Sequence, residues 1–421
     1  MRNTRLVLLL ALASCGPVGG GRGNPNPGDP QPDSGQKMTG DPNADLDGDG
    51  FTPAQGDCDD NDATVYPGAP ETCDGRDHNC NGVVDDICDD DKDGYNVCPN
   101  PMCPTIMGNG RPGGDCNDAD PLVNPGAYEF VGNMVDDDCN GMTDEATPAC
   151  PAFSTTDARS FPAAFELCAP WLMSATINGD SDARARQSRT HYGVIKPKQG
   201  PSFTVFSTGI VADEQDASFM SPQPGTEFSN MDANPLPMNN KNLSCGNNDP
   251  DPKTVNDMVM LTMTLKVPTN AKSFSFNLQF MSSEYPEFVG SMFNDKFLAI
   301  LSSKAFSGNI SFDAHNNPIT VNAGFFDVCT SAQICNGSKT NKCTAPVTGL
   351  NNTGYEQDDG SGTPVGGGTG WLTTTSPIQP GETATLKFAV FDEGDAQYDS
   401  AIILDNFQWQ LMPATAPTTV Q

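Results

Sequence analysis

Basic residues and histidine are scarce in this chain. Its 421 residues carry 22 Lys and Arg against 54 Asp and Glu, a net charge of −32, and only three histidines, His78, His191 and His315. Nucleic acid and anionic membrane surfaces are gripped by clustered Lys and Arg, so no nucleic acid is expected as a partner. Long apolar runs are missing too: Leu6 to Leu12 falls well short of the roughly 20 residues that span a bilayer. HExxH and GxSxG do not occur, which removes the usual supports of zinc-protease and serine-hydrolase chemistry. No segment carries a convincing amphipathic helical period, which argues against a helical bundle.

What is present begins with "MRNTRLVLLLALASC". Arg2 and Arg5, an apolar stretch and small residues before Cys15 make an export signal. "LASC" resembles the lipobox of bacterial lipoproteins. That implies a signal peptide over residues 1–14 and a lipidated Cys15 holding the protein to a membrane. Gly16 follows rather than Asp, so the family's usual inner-membrane retention signal is missing, and the outer membrane or cell surface is the expected location. Residues 16–44 are Gly, Pro and polar and read as a disordered tether, so 15–44 is taken as lipidated Cys plus tether. Without Cys15, fourteen cysteines remain. Eight fall between Cys58 and Cys139 and six between Cys150 and Cys343. Both sets are even and an exported chain permits disulfides, so each set can close within its own region, with connectivity open.

The acid is concentrated. Residues 41 to 146 hold 26 acids against Arg76, Lys92 and Arg111, leaving −23 of the −32 there. The same region is duplicated. "DCDDNDATVYPGAPE" (Asp57 to Glu71) returns as "DCNDADPLVNPGAYE" (Asp115 to Glu129), "CNGVVDD" returns as "CNGMTDE", and "DLDGDGF" (Asp45 to Phe51) returns as "DDDKDGY" (Asp89 to Tyr95). The second copy adds a loop with Cys98 and Cys103 and has Val131 where the first has Cys73. In "DLDGDGF", Asp45, Asp47 and Asp49 take positions 1, 3 and 5, Gly50 takes position 6, and the Phe51 carbonyl can serve at position 7, the order used to wrap a hard cation. Gly56 stands where an EF-hand would place its bidentate Glu, so the remaining oxygens must come from Asp57, Asp59, Asp60 or Asp62. The second copy offers Asp89, Asp91, Asp93 and the Tyr95 carbonyl, completed by Asp115, Asp118 or Asp120. So many carboxylates repel unless neutralised, and a core-poor segment needs cross-links. Bound Ca²⁺ is therefore expected rather than a solvated acidic surface. An all-oxygen donor set argues against copper.

"GDCDDNDATVYPGAPETCDGRDHNCNGVVDD" (Gly56 to Asp86) resembles the bacterial metal-binding motif repeat named after a copper-associated surface protein, with the likeness covering roughly residues 45 to 146. The name implies copper, whereas the residues favour a hard cation.

From about residue 150 the chain alternates. Phe274, Phe276, Leu278 and Phe280 interleave with Ser273, Ser275, Asn277 and Gln279, predicting a half-buried strand. Val259, Leu261, Met263, Leu265 and Val267 share one face, as do Leu386, Phe388 and Val390, and Phe407, Trp409 and Leu411. The expected fold is mainly β, an antiparallel β-sandwich, jelly-roll-like, over 150–412 with a tail at 413–421. It follows a small disulfide-rich Ca-loop module, 45–146, with little regular structure. "FSTGIVAD", "SSEYPEFVGSMFNDKFLAIL" and "DEGDAQYDSAIILDNF" resemble the bacterial choice-of-anchor L domain over roughly 165 to 412, which implies a surface β-sandwich attached by varied anchors. Here the lipobox is expected to take that role, since no C-terminal anchor precedes Gln421. Glu284, Glu287, Asn294 and Asp295, with Asp392, Asp395, Asp399 and Asp405, are candidates for a second cation or ligand site at the sandwich rim, or for a network closing loops. Trp171, Trp371, Trp409, Tyr285, Tyr355 and Tyr398 are candidates for a sugar-stacking platform, with Trp409 expected inside.

The order of lipobox, tether, repeat and sandwich leads to a non-enzymatic cell-surface lipoprotein: a calcium-stiffened stalk presenting a binding or adhesion head for a surface glycan or protein. Two rivals stand beside it. One is an exported hydrolase using a carboxylate pair such as Glu284 and Glu287 or Asp392 and Asp395, and the other is metal sequestration by the acidic module.

Overall fold

The computed structural model describes residues 41–85, 88–97, 113–179, 182–223, 225, 228–240, 243–246, 249–322, 325–356 and 366–421. The export signal, Cys15 and the tether up to residue 40 lie outside the described residues, as do Cys98 and Cys103. The chain separates into two compact units divided between Asp85 and Asp86. The division falls between the acidic copies, not after the second.

The larger unit is built on nine principal strands: β1 (Leu172–Gly179), β2 (Arg186–Arg189), β3 (Phe203–Ser207), β4 (Thr254–Lys266), β5 (Ser273–Ser282), β6 (Lys296–Ser302), β7 (Leu372–Pro377), β8 (Thr383–Asp392) and β9 (Ser400–Gln410). They pair in two antiparallel sheets, in the orders β7-β5-β9-β3-β2 and β6-β8-β4-β1. The apolar faces read from the sequence meet between the sheets. Val259, Leu261, Met263 and Leu265 of β4 and Leu386, Phe388 and Val390 of β8 are fully buried. The Phe388 ring meets Phe276 of β5 edge-on at 4.9 Å between centroids, a favoured arrangement for aromatic pairs.

One expectation fails at β5, which is buried at every position rather than on one face. Its polar alternates are covered and satisfied. Asn277 donates to Thr373 Oγ1 at 2.8 Å and accepts from Asn406 at 2.7 Å, and Ser273 donates to the Met412 carbonyl at 2.6 Å. A second apolar cluster, with Tyr192, Val211, Leu350 and Tyr355 against Met281, Ala401 and Ile403, covers this sheet's other face. Trp409 is packed inside as expected, and Tyr285 and Tyr355 are buried with it. These rings form no common exposed platform.

The second acidic copy is joined to the sandwich through the β4–β5 turn. Thr269 donates from its amide to the Gly126 carbonyl at 3.0 Å and from its hydroxyl to Asn124 Oδ1 at 2.7 Å. Buried Asn270 takes both ends of Tyr128, accepting from its amide at 2.8 Å and donating to its carbonyl at 2.9 Å. The Tyr128 ring lies 6.1 Å from Trp171. Disulfides Cys150–Cys168, Cys245–Cys335 and Cys329–Cys343 close the later six cysteines among themselves, and Cys58–Cys80 in the first copy matches Cys116–Cys139 in the second.

Candidate metal centres

Both acidic loops adopt one hydrogen-bond ladder. In the first, Asp45 accepts from the Gly48 and Gly50 amides (2.7 and 3.1 Å), Asp47 from Asp49, and Asp49 from Phe51 (3.2 and 2.8 Å). In the second, Asp91 accepts from the Asp93 amide and Asp93 from Tyr95 (3.1 and 2.7 Å). Asp45 engages both of its oxygens, whereas Asp47, Asp49, Asp91 and Asp93 each spend one and bury the other without a donor. Gly50 and Gly94, at φ +99° and +96°, make the reversal in a region that favours glycine.

The inward oxygens converge. Asp45, Asp47 and Asp49 can bring carboxylate oxygens within 4.8 Å of one another, as can Asp89, Asp91 and Asp93, and Asp91 with Asp115 and Asp118. Oδ2 of Asp47, Asp49 and Asp57, and Oδ2 of Asp91, Asp93 and Asp115, are buried and meet no hydrogen-bond donor. Such groups are costly unless something else satisfies them. Burial, first, pushes the carboxyls of Asp93 and Asp115 up to about 6, with neighbouring aspartates adding repulsion, and it raises Asp47, Asp57 and Asp118 in the same direction. A cation would relieve both terms, and the donors are all oxygen. His78, the segment's only histidine, is buried 3.0 Å from Thr72 Oγ1 and beside Glu71, so the imidazole a copper site would want is engaged elsewhere.

Of the downstream acids, the structure brings Asp57 and Asp115, and Asp118, to the loops. Asp60 and Asp118 also play matched parts, accepting from the Leu46 and Asp90 amides at 3.1 and 2.9 Å. Asp59, Asp62 and Asp120 do other work. Asp59 and Asp62 pair with Arg76 at 3.0 and 2.6 Å. Asp62 and Asp120 also accept from the Thr64 and Leu122 amides two residues on.

The sequence reading missed a second loop in each copy. Asp77, Asn79, Asn81 and Gly82, and Asp136, Asp138, Asn140 and Gly141, repeat the ladder. Position 1 accepts from the glycine amide (2.8 and 2.9 Å) and position 5 from position 7 (2.7 and 2.9 Å). Glu129, Asp138 and Glu145 also form a carboxylate group within 4.8 Å. The signal was there as "DHNCNG" and "DDDCNG", in which Asn stands for Asp at positions 3 and 5 of the first copy and at position 5 of the second.

In the sandwich, four of the candidate acids gather where strands of both sheets end. Glu284 follows β5, Asp295 precedes β6, Asp392 closes β8 and Asp399 precedes β9. Their exposures are 1, 0, 1 and 6 %. The Glu393 amide and the Ser400 hydroxyl both donate to Asp295 (3.2 and 2.7 Å). Burial, and then the charge of Asp295, pushes the carboxyls of Glu284 and Asp392 well up, and burial pushes that of Asp295 up to about 7. Asp395 adds its charge to Glu284 and Asp295, and the remaining candidates stand apart. Glu287 is exposed, Asp395 is partly exposed, and Asn294 is buried, accepting from the Asn322 amide at 3.1 Å. Asp405 holds the Lys198 amide at 2.5 Å beside Glu166. Glu284 with Glu287, and Asp392 with Asp395, thus pair a buried carboxyl with a more exposed one.

The family model of the choice-of-anchor L domain matches residues 168–408, more than half of the chain. The chain belongs to the choice-of-anchor L family. A model described as "Putative metal-binding motif" matches residues 57–86 and 115–145, one stretch in each acidic copy. No curated protein and no solved structure matches. The choice-of-anchor L match spans β1 to β9 and includes all four gathered acids. The metal-motif matches take in Asp57 and Asp115 and the second loops but stop short of Asp45–Asp49 and Asp89–Asp93. In the second copy the grouping of Asp91 with Asp115 and Asp118 carries one cluster across that border.

Proposed function

We propose that this is an exported, non-enzymatic cell-surface protein. Its acidic repeats fold around Ca²⁺, and its choice-of-anchor L sandwich binds a surface glycan or protein. Attachment through a lipid on Cys15, in the outer membrane or at the cell surface, completes the reading. The observation that carries the cation is the set of buried Oδ2 atoms without donors, repeated at Asp47/Asp91, Asp49/Asp93 and Asp57/Asp115. Calcium suits them because it takes six to eight oxygen ligands in adaptable geometry, carboxylate and carbonyl alike. Asp45, Asp47, Asp49 and Asp57 with the Phe51 carbonyl would hold one ion, and Asp89, Asp91, Asp93, Asp115 and Asp118 with the Tyr95 carbonyl its counterpart.

For the sandwich, a cavity of about 930 Å³ lined by Phe153, Phe161, Ile177, Glu166, Arg186 and Ser188 supports ligand binding. Its size and its mix of apolar wall and few polar groups are those of small-molecule sites. A glycan array with the full chain, in calcium and after chelation, tests the reading. Binding of a defined glycan that Phe153→Ala abolishes supports it, and an array without a hit moves the search to protein partners. Sequestration has one observation in its favour, the four ladders in place of two. Titration calorimetry separates the readings: a few tight calcium sites belong to folding, and many weak sites or a copper preference to storage.

A further inference from the structure

Lys296 is shut away from water. Its side chain is 0 % exposed, and its Nζ contacts two carboxylates, Asp251 Oδ1 and, at 2.6 Å, Glu393 Oε2, whose side chains are 2 and 1 % exposed. Lysine is almost never buried so completely. The surroundings are apolar. Lys296 stands opposite Phe391 of β8 in register, and Phe391 joins Leu298, Val255 and Met258 in an apolar cluster against which Met238 packs. Opposite charges enclosed in this way are costly to take out of water, even when paired.

Three neighbouring strands of one sheet bring these groups together. In the order β6-β8-β4, Lys296 opens β6, Glu393 directly follows β8 and Asp251 shortly precedes β4. Asp251 and Glu393 lie 45 and 97 positions from Lys296 in the chain. The two oxygens of Asp251 face different groups. Oδ1 meets the amine, while Oδ2 accepts from the Met238 amide at 2.7 Å. Oδ1 is bonded to Cγ, so its contact with Nζ brings the amine to the carboxyl carbon. The site therefore holds a nucleophile beside a carboxyl, a proton acceptor on that nucleophile, and a fixed N–H donor at the oxygen where charge would develop. These are the parts of an acyl transfer.

We propose that Lys296 and Asp251 condense into an intramolecular amide, with Glu393 moving the protons. Nζ passes a proton to Glu393 Oε2, and the freed electron pair forms a bond to Asp251 Cγ. Negative charge gathers on Oδ2, where the Met238 amide stabilises it. The Cγ–Oδ1 bond then breaks, and Oδ1 leaves as water with the two protons that Nζ has lost. One ammonium and one carboxylate thus give one amide and one water. No oxidant or other reactant is consumed, and Glu393 ends as it began. The product replaces two buried opposite charges by a neutral amide. It spans β8, tying the start of β6 to the entry of β4. The bond forms once per chain without turnover, and it depends neither on the cations of the acidic repeats nor on a ligand of the sandwich.

The test is a tryptic peptide map by mass spectrometry of the folded full chain, reduced and alkylated before digestion so that disulfides no longer link peptides. The proposal expects a branched peptide in wild type that joins Lys296 to Asp251. Its mass should be one water below the sum of its two parts, with no cleavage after Lys296. In Glu393→Gln, shown to be folded by circular dichroism, the two parts should run as separate peptides and trypsin should cut after Lys296. Separate, unmodified peptides in folded wild type would overturn the proposal, as would Lys296 joined to Glu393 instead. A branched peptide undiminished in Glu393→Gln would overturn the proton relay. If Glu393→Gln does not fold, the wild-type map decides alone.

Discussion

Lys92 holds a left-handed backbone at φ +66° where the first copy has Gly48 at +85°. A side chain in that region costs on the order of 1 kcal/mol, so Lys92→Gly should stabilise the second loop by up to that amount in thermal melts. The aspartates around Cys58 divide by what their oxygens already do. Asp57 keeps a buried oxygen without a donor, whereas Asp59 and Asp62 are about a third exposed and paired with Arg76. Asp57→Asn should weaken calcium binding at least tenfold, about 1.4 kcal/mol. Asp59→Asn and Asp62→Asn should change it little, as surface pairs contribute at most about 1 kcal/mol. Isothermal titration of the three variants reads this directly. Glu166 gives a pH prediction. Burial, then Asp405, pushes its carboxyl from 4.5 up to about 7. The folded state therefore holds this proton more tightly than the unfolded one. Its contribution is fully present below 4.5 and is lost as pH rises through about 7. Glu166→Gln should melt higher than wild type at pH 8, by on the order of 1 kcal/mol after allowing for its partial exposure, and the gap should close by pH 4.

Among the elements, the strands were the legible part. Period-two alternation in 259–267, 386–390 and 407–409 picks out side chains that enter the core, because a half-covered strand must alternate, whereas Leu411 lies past the end of β9 and is half-buried. β5 alternates as well, yet both its faces are covered. The cover comes from residues such as Tyr192, Leu350 and Tyr355, which lie in irregular segments with no period to read. Phe388 meets Phe165, Phe276 and Phe297, and Phe388→Ala should cost about 3–5 kcal/mol in denaturant unfolding. In the acidic copies the first loops were read from DxDxDG. The second loops were not, because Asn at position 5 of both copies, and at position 3 of the first, carries no charge to attract attention, although at position 5 its Oδ1 accepts the same amide. The β4–β5 turn is the junction to the second copy. Asn270→Ala removes both its bonds to Tyr128, and faster amide exchange at Tyr128, with Cys116–Cys139 intact, is the expected result.

On the scale of the whole molecule, the described acids between residues 41 and 146 lie in folded structure and are shared between two compact units. The duplication was visible in the sequence, but the division between its copies was not, since it rests on contacts such as Asn124 with Thr269, 145 positions apart. The gathered acids of the sandwich were visible only as acids near strand ends. Asp295 lies beside Asp392 and Ser400 because sheet topology brings together strand ends about a hundred residues apart, while Glu287, three residues from Glu284, faces solvent. The central claim is that hard cations hold the acidic repeats folded. The most direct test is differential scanning calorimetry of the full chain with limited proteolysis, in calcium and after chelation at pH 7. The account predicts that chelation lowers the melting of the repeats and opens cleavage between residues 41 and 85, that calcium restores both, and that copper does not. Melting and cleavage patterns indifferent to chelation, or restored by copper and not by calcium, would contradict it.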